Sequence, residues 1–470
     1  MSKLKIQFCG AAQAVTGSSH LITLENGKKI LLDCGLYQGN DDDMKDFNEN
    51  WYFNPADIDF LILSHAHIDH TGRVPKLVKD GFEGRILSTH ATRDLCAIML
   101  MDSAYLQQRD AKYENKWRVK QGKEPIEPLY QEGDVTKAMS MFVSIGYDRW
   151  YPVTEGVWVQ YRDSGHILGS ASITLRIQTS EGEKVLGFTG DIGRPERPIL
   201  RDPKPMPQCD YILCESTYGN RLHEQRDEEL NKFLQIIKET CIDKAGKLII
   251  PAFSVGRTQE IVYMLDQLSN QKKLPPIPVY VDSPLAINAT EIFRMHPDCF
   301  DKELTHYMMT DPNPWGFNNL HYVKEVEDSK KLNHMNQACI IISASGMITG
   351  GRIKHHVFNN IEKHNTTILI VGYAAPYTIG GQLRAGKDKI KMFGTEVDVN
   401  ARVEIMDSFS AHGDYEEMIA FLSNQDKQRI KRLFLVHGEL DTQKAFKEHL
   451  QSEGYENIYI PGLEQIFNLD

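Results

Sequence analysis

An apolar run that ends in three histidines and an aspartate constrains this chain more than any other stretch: Leu61-Ile62-Leu63-Ser64-His65-Ala66-His67-Ile68-Asp69-His70. Residues 58–63 have the aliphatic, β-branched composition of a buried strand, and Thr71-Gly72-Arg73-Val74-Pro75 reads as the opening of a helix. The cluster is therefore expected on a strand-to-helix loop. Such a loop holds short side chains convergently on rigid flanks, and neutral imidazole with carboxylate is the donor set taken by zinc and similar borderline metals. His65 and His67 can share one ion while Asp69 and His70 turn toward a second. A solvated His-rich loop or packed core histidines would account for any one of these residues alone, but not for H-x-H-x-D-H directly after an apolar strand.

A chain of 470 residues exceeds one ordinary domain, so two or three compact units are expected around this site. Its 41% hydrophobic and 25% charged content is that of a globular protein and argues against disorder. The formal net charge of −11 has the wrong sign for a surface that grips polyanions everywhere, so nucleic-acid binding would need a local basic groove. The eight cysteines contain no C-x-x-C pair and read as reduced, packed thiols. Residues 1–6 enter a strand pattern without an apolar signal region, and no stretch nears the roughly 18 apolar residues of a membrane span, which makes the cytoplasm the expected location.

Taken in order, residues 3–9, 19–24 and 29–33 read as a hairpin meander joined by turns such as Glu25-Asn26-Gly27. The third strand ends at Asp33, which either accepts a hydrogen bond from a ligand histidine and fixes its tautomer, or simply starts a turn. Residues 40–50, polar and acidic, are expected to loop over the site. From 91 to about 123 the pattern is helical, an insertion-like arm whose Met99-Leu100-Met101 belongs to the core and whose later part is densely charged. Residues 158–162 and 185–189 read as further strands, one leading to His166 and the other to Gly190-Asp191, with Asp191 well placed to bridge two ions.

Asp33, His65-x-His67-x-Asp69-His70, His166 and Asp191, in that order and each at a strand end, resemble the first four motifs of the metallo-β-lactamase superfamily. The resemblance implies an αββα sandwich with a dinuclear, usually zinc, site at one edge of its two sheets, where a water or hydroxide between the ions is the nucleophile. It leaves the substrate open, because thioesters, lactams and phosphodiesters are all handled on this fold.

The second half alternates strands, at 211–215, 247–251, 279–281 and 338–342, with helices, and reads as a parallel α/β block. Phe253-Ser254-Val255-Gly256-Arg257 forms a turn that can present backbone N–H groups and an arginine to a phosphate, and Ser343-Ala344-Ser345-Gly346-Met347 opens a Gly/Ser loop that runs to Arg352. These segments resemble the β-CASP nucleases, an RNA- and DNA-processing branch of the same superfamily, and the resemblance covers almost the whole chain. Glu215 matches the acidic motif of that branch; Ser408-Phe409-Ser410-Ala411-His412 and Leu435-Val436-His437-Gly438-Glu439 match the two motifs that follow. The resemblance implies His437 as a ligand of the second metal, and Asp69, Glu215 and His412 as catalytic residues. His412 would be the general acid, its protonated ring held by the Glu215 carboxylate. RNA contacts are implied at Phe253, Ser254, Val255, Gly256, Arg257, Ser343, Ala344, Ser345, Gly346, Met347, Arg352, Ser408, Phe409, Ser410, Ala411 and His412. His355 and His356 could face phosphates but match no metal motif.

The architecture expected is a metallo-β-lactamase domain over residues 1–219 and 395–470, with a parallel-sheet α/β β-CASP domain inserted at 220–394. RNA would enter the cleft between them, lined by Arg257, Arg352, Lys354 and residues 384–391. The expected function is a metal-dependent ribonuclease, endonucleolytic, 5′-to-3′ exonucleolytic or both. The histidine at 437 resembles the RNA-acting members, which include bacterial and archaeal ribonucleases and the endonuclease of mRNA 3′-end processing. Two zinc ions are implied, manganese or iron suiting the same donors; the implied partner is single-stranded RNA, with no membrane, and a homodimer is admitted. A thioesterase or lactonase of the superfamily would share the metal motifs but need neither Glu215, His412 nor the large insertion. A DNA nuclease is a further alternative, although the DNA-acting members tend to differ at the motif that holds His437, and a non-catalytic scaffold would have altered Asp69 or His70.

Overall fold

The protein is described here by a computed structural model that covers residues 3–39, 44, 46–223, 229–372, 374–406 and 410–469. Ser408 and Phe409, and residues 40–43 and 45 of the segment expected to loop over the site, lie outside the described residues. The chain divides into two compact units, residues 1–222 with 412–470, and residues 223–411.

The first unit is an αββα sandwich. Strands Lys5–Gly10, Ser19–Thr23 and Lys29–Leu32 form the expected antiparallel meander. Phe60–Ile62, Arg85–Ser88 and Phe142–Ser144 extend it in parallel, and Ile466–Asn468 closes the other edge. The second seven-stranded sheet begins with the antiparallel run Tyr151–Thr154, Val157–Asp163, Ala171–Thr179 and Gly182–Phe188. It continues in parallel through Tyr211–Glu215, Arg432–Val436 and Ile458–Tyr459. Tyr211–Glu215 and Arg432–Val436 are buried on both faces, which is why they read as apolar runs, whereas Tyr459 of the edge strand is exposed. Leu213, Phe434 and Val436 point into the core shared with Phe8, Ile22 and Ile62 of the first sheet. Ile212, Leu433 and Leu435 point the other way, onto Met418 and Phe446 of helices Tyr415–Leu422 and Leu440–Ser452. Helix His90–Lys120 lies against the strand Phe142–Ser144 of the first sheet.

Strand direction gathers the site. Lys29–Leu32 and Phe60–Ile62 are parallel, as are Gly182–Phe188, Tyr211–Glu215 and Arg432–Val436, so the residues that follow these strands emerge at C-terminal ends along a shared edge. The loop expected after Leu63 is in part a helix. His70 and Thr71 amides both donate to the His67 carbonyl, and residues Ile68–Thr71 close into a single turn ahead of helix Val74–Lys79, so Asp69 and His70 project from a helical turn. That turn packs tightly on Gly35, where a Cβ would meet the Asp69 carbonyl at 1.6 Å.

The second unit carries a six-stranded, wholly parallel sheet. Its order is Leu320–Tyr322, Val279–Val281, Cys339–Ser343, Lys247–Pro251, Thr367–Val371, Arg402–Met406. Helices Arg257–Asn270, Pro284–Met295 and Gly351–Asn360 follow its strands, and Lys389–Met392 pairs with Thr395–Asp398 as a separate hairpin. Strand Arg402–Met406 pairs with Thr367–Val371 and so belongs to this unit, which runs from 223 to 411. All eight cysteines are buried, and among the described residues no helix is long and apolar enough to cross a membrane.

Phe8 is fully buried, its ring centroid 5.1 Å from that of Phe434 and 5.5 Å from that of His20. Phe8→Ala should destabilise the first unit by about 3–5 kcal/mol through the cavity left between the sheets. Hydrogen exchange resolved by unit is expected to show lost protection in the two seven-stranded sheets and none in the six-stranded one.

Candidate metal and catalytic centre

Asp33 follows the strand Lys29–Leu32 with φ 57°, and His437 follows Arg432–Val436 with φ 53°. A non-glycine residue in the left-handed region costs on the order of 1 kcal/mol, a strain that persists where surrounding bonds over-determine the geometry. Both residues have such bonds. Asp33 Oδ1 accepts the Ser64 amide at 2.8 Å, and Oδ2 accepts the hydroxyls of Ser64 at 2.8 Å and Ser18 at 3.2 Å and sits 2.6 Å from His70 Nδ1. The His437 amide donates to the Ala11 carbonyl at 2.8 Å, and Thr217 Oγ1 lies 3.0 Å from His437 Nδ1.

These contacts turn the other ring nitrogens inward, the role a carboxylate or hydroxyl plays behind a metal-bound imidazole. His70 Nε2 stands 3.1 Å from His437 Nε2 and 3.3 Å from Asp191 Oδ1, and His437 Nε2 is 3.4 Å from Asp69 Oδ2. On the other side, Asp191 Oδ2 is 3.5 Å from His65 Nε2 and 3.4 Å from His166 Nε2, and His67 Nδ1 is 3.1 and 3.2 Å from those same two nitrogens. One donor set is thus His65, His67, His166 and Asp191, the other Asp69, His70 and His437; within each, the donor atoms lie within 4.8 Å of one another. Asp191 divides its two oxygens between them.

Burial holds His65 and His166 well below the usual histidine pKa and brings His67 down to about 4, so these three rings are neutral at physiological pH, as ligation requires. Burial would lower His70 as well, but Asp191, Asp33 and Asp69 outweigh it and hold His70 well above its usual value. Against the upward push of desolvation, His437, His70, His65 and His412 hold the buried Asp191 carboxyl below the normal range, and His70, His437 and His67 do the same for the half-buried Asp69. Neutral nitrogens facing one another at 3.1–3.2 Å around the buried Asp191 Oδ2 form an arrangement that a cation would complete. These clusters suit metal binding.

Beside them lies a second pairing. Glu215 is buried; its Oε1 accepts the Ile192 amide at 2.5 Å, and its two oxygens lie 3.2 and 3.4 Å from His412 Nδ1, which is 3.9 Å from Asp191 Oδ2. An isolated antiparallel bridge from Gly193 to His412 sets this ring in place. Gly193 is obligatory there, since a Cβ would meet the Gly165 carbonyl at 2.0 Å. Burial would lower the His412 pKa, but Glu215, Asp191 and Asp69 overcome it and raise it to about 9. The ring is protonated at neutral pH.

The structure therefore brings Asp33, His65, His67, Asp69, His70, His166, Asp191, Glu215, His412 and His437 together. Sequence reasoning missed Ser64 and Ser18, whose hydroxyls donate to Asp33, and Thr217, whose hydroxyl lies beside His437 Nδ1. Ser64 and Thr217 are small hydroxyl residues two positions after buried strands, and that position was the available signal.

The other expected contacts lie in the second unit, where Lys247–Pro251 pairs with Cys339–Ser343 and sets the two following loops side by side. Phe253 is exposed, and a Cβ on Gly346 would come within 3.0 Å of its ring. Ser254 Oγ is 3.3 Å from Ser283 Oγ; the Gly256 amide caps the helix by donating to Gln259 Oε1 at 2.8 Å, and Val255 is buried. Ser343 donates to the Asp282 carbonyl at 2.7 Å, Ala344 is half-buried, Ser345 Oγ lies 3.0 Å from Thr349 Oγ1, and the Met347 carbonyl accepts the Gly380 amide. Ser410 is buried and Ala411 half-buried. Both arginines are engaged internally. Arg257 pairs with Glu260 in the next turn of its own helix, and Arg352 donates to Asp282 Oδ1 at 2.6 Å and to the carbonyls of Val323 and Lys324. His356 is fully buried, 2.6 Å from Asp282 Oδ2 and 2.8 Å from Asn333 Oδ1, and faces no open surface; His355 stacks on Phe393.

Three family models match the chain: the metallo-β-lactamase superfamily over residues 12–148, the Beta-Casp domain over 258–383, and the Zn-dependent metallo-hydrolase RNA specificity domain over 396–461. Ribonuclease TTHA0252 of Thermus thermophilus is 32% identical, over 95% of this chain and 96% of that protein. Transcription termination factor FttA of Methanosarcina mazei is 30% identical over 93% of this chain and 67% of its own length. Cleavage and polyadenylation specificity factor 73 of Drosophila melanogaster is 29% identical over 96% and 62%. A crystal structure of a protein of unknown function from Enterococcus faecalis V583 shares the fold at 11% identity and a TM-score of 0.51 over the whole of both chains.

Asp33→Asn preserves shape but removes the charge that fixes His70. Zinc competition against a chelator should show affinity 10- to 100-fold weaker, roughly, for the ion that His70 serves, while a variant of unaltered affinity would mean that Asp33 only shapes the turn.

Proposed function

The chain belongs to the metallo-β-lactamase superfamily, in its β-CASP ribonuclease branch, and on that premise we propose that it is a metal-dependent ribonuclease that hydrolyses RNA phosphodiester bonds. The observation that carries this reading is His412, 3.2 Å from buried Glu215 and 3.9 Å from Asp191, beside two donor sets that share Asp191. Hydrolysis of an ester or lactone on this scaffold has no use for a second, carboxylate-backed proton donor, whereas a departing ribose oxygen needs one. RNA as substrate is supported by the RNA specificity domain and by relatives named as a ribonuclease and a cleavage factor.

Two zinc ions are the proposed cofactors, one on His65, His67, His166 and Asp191, the other on Asp69, His70, His437 and the same Asp191; manganese or iron suits these donors too. When bound, such ions supply Lewis acidity toward phosphate oxygens and activate water near neutral pH. The chain's own residues do the rest. Asp33 and Thr217 fix the orientation of His70 and His437. Glu215 occupies Nδ1 of His412, which assigns proton delivery to the leaving oxygen to Nε2. Within the second unit, the exposed Phe253 ring offers a face for a base to stack on, with Ser254 and the loop of Ser345, Gly346 and Met347 beside it. Arg257 and Arg352 hold these loops in shape through Glu260 and Asp282.

Incubation of the zinc-loaded protein with 5′-labelled single-stranded RNA and the matching DNA, resolved on a sequencing gel, tests the reading. RNA should be cut and Asp69→Ala should abolish cutting, the ladder separating endonucleolytic from 5′-to-3′ action. His412→Ala should lower kcat about 10²- to 10⁴-fold with metal content unchanged. Glu215→Gln should move the alkaline limb of the kcat profile to lower pH, because it removes the charge that raises the His412 pKa. Intact RNA and DNA under zinc, manganese and iron would return the chain to the small-molecule hydrolases.

A further inference from the structure

The outer half of helix His90–Lys120 takes no part in the hydrolytic site. Some 40 Å of helical rise separates its start from Trp117. Between Tyr105 and Lys123 the chain places six lysine and arginine residues against two carboxylates, on a protein whose formal net charge is −11. Arg109 and Arg118 have those carboxylates, Asp110 and Glu114, as neighbours. Lys112, Lys116 and Lys120 stand one helical turn apart, exposed, and no carboxylate among the described residues lies within ion-pairing distance of them. They line one wall of a groove of about 820 Å³, whose other wall is Ile126, Glu127 and Pro128. That wall is pinned, since the Asn115 side chain bonds both the amide and the carbonyl of Ile126, at 2.8 and 2.9 Å, and Arg118 Nε donates to the Glu124 carbonyl at 2.8 Å. One residue along from the lysine ridge runs an aromatic one, Tyr113 and Trp117, 66% and 53% exposed, with Lys120 over the Trp117 ring at 4.9 Å.

We propose that this groove and its rim are a docking surface for single-stranded RNA outside the hydrolytic site, an inference that rests on the ribonuclease reading above. A ridge of unpaired cations beside exposed ring faces is how proteins hold a single strand without reading its sequence: the cations track phosphates and the rings stack on bases. The composition disfavours a protein occupant, because interface cores are depleted in lysine. The carboxylate of Glu127 in the opposite wall confines the attraction to the lysine side. The surface gives a long RNA a second hold and leaves a short one unaffected.

Anisotropy of a fluorescein-labelled oligo-uridylate, titrated with the full chain in EDTA at several salt concentrations, tests this. The triple variant K112Q/K116Q/K120Q should bind more weakly, with a salt slope shallower by about 2, three lost contacts at about 0.7 each. Trp117→Ala should lose about tenfold in affinity with its slope retained. Both variants should raise KM for a long RNA and leave kcat, and the cleavage of a short one, unchanged. Wild-type affinity, slope and KM in both variants overturn the docking surface while wild-type cleavage keeps the ribonuclease reading. Absence of any wild-type cleavage defeats that reading instead. Loss of binding to phosphatidylserine vesicles or to a protein partner, with RNA binding intact, assigns the face to another occupant and also overturns the proposal.

Discussion

The fold of the first unit is arranged around one buried carboxylate. Asp191 faces His65 and His166 with one oxygen and His70 with the other, in a place where an unpaired charge would be prohibitively costly. The remaining charges near it are balanced by protons. His70 and His412 are held protonated by Asp33, Asp69, Asp191 and Glu215, while His65, His67 and His166 are kept neutral by burial. A cation bound beside Asp69 and His70 would displace the His70 proton, whereas His65, His67 and His166 are already neutral, so the two donor sets would differ in how steeply their affinity depends on pH.

Such a cluster can be assembled only by the finished fold. His70 and His437 are 367 positions apart, and Glu215 and His412 are 197 apart, the second unit lying between them in sequence. Parallel pairing of Tyr211–Glu215 with Arg432–Val436 brings the chain back with register Glu215 to Val436, one residue before His437. The left-handed backbone at Asp33 and His437 then aims each side chain across the edge. The strain at both sites is borne by the two sheets and the core they bury, which include Phe8, Ile173, Leu213 and Phe434.

Much of this was legible in the chain because the chemistry sits where the periodicity changes. His65, Asp33, His166, Asp191, Glu215 and His437 each end or follow an apolar run, and a strand end is a local feature. The resemblance supplied what locality could not, that His412 belongs with Glu215. What stayed hidden is pairwise and distant. Arg352 reads as a cation at a loop, but its partner Asp282 is 70 positions away, and the same carboxylate takes His356. The strand Arg402–Met406 looks no different from those of the first unit, and only its pairing with Thr367–Val371 assigns it to the second. The helical turn Ile68–Thr71 is too short for a 3.6-residue period to register.

Where the cations are spent bears on how a strongly acidic protein handles a polyanion. In the second unit Arg257 and Arg352 are neutralised by Glu260 and Asp282, so the loops they brace offer a ring, hydroxyls and backbone to a nucleotide and little net charge. In the first unit, Lys112, Lys116 and Lys120 keep their charge on an exposed helix. Positioning and attraction are thereby assigned to different parts of the chain. Charge contacts give affinity that falls with salt and ignores sequence, while stacking and hydroxyl contacts set the register of the strand. With attraction supplied elsewhere, the hydrolytic site is left to concentrate its own charge on Asp191, Asp69 and the imidazoles around them.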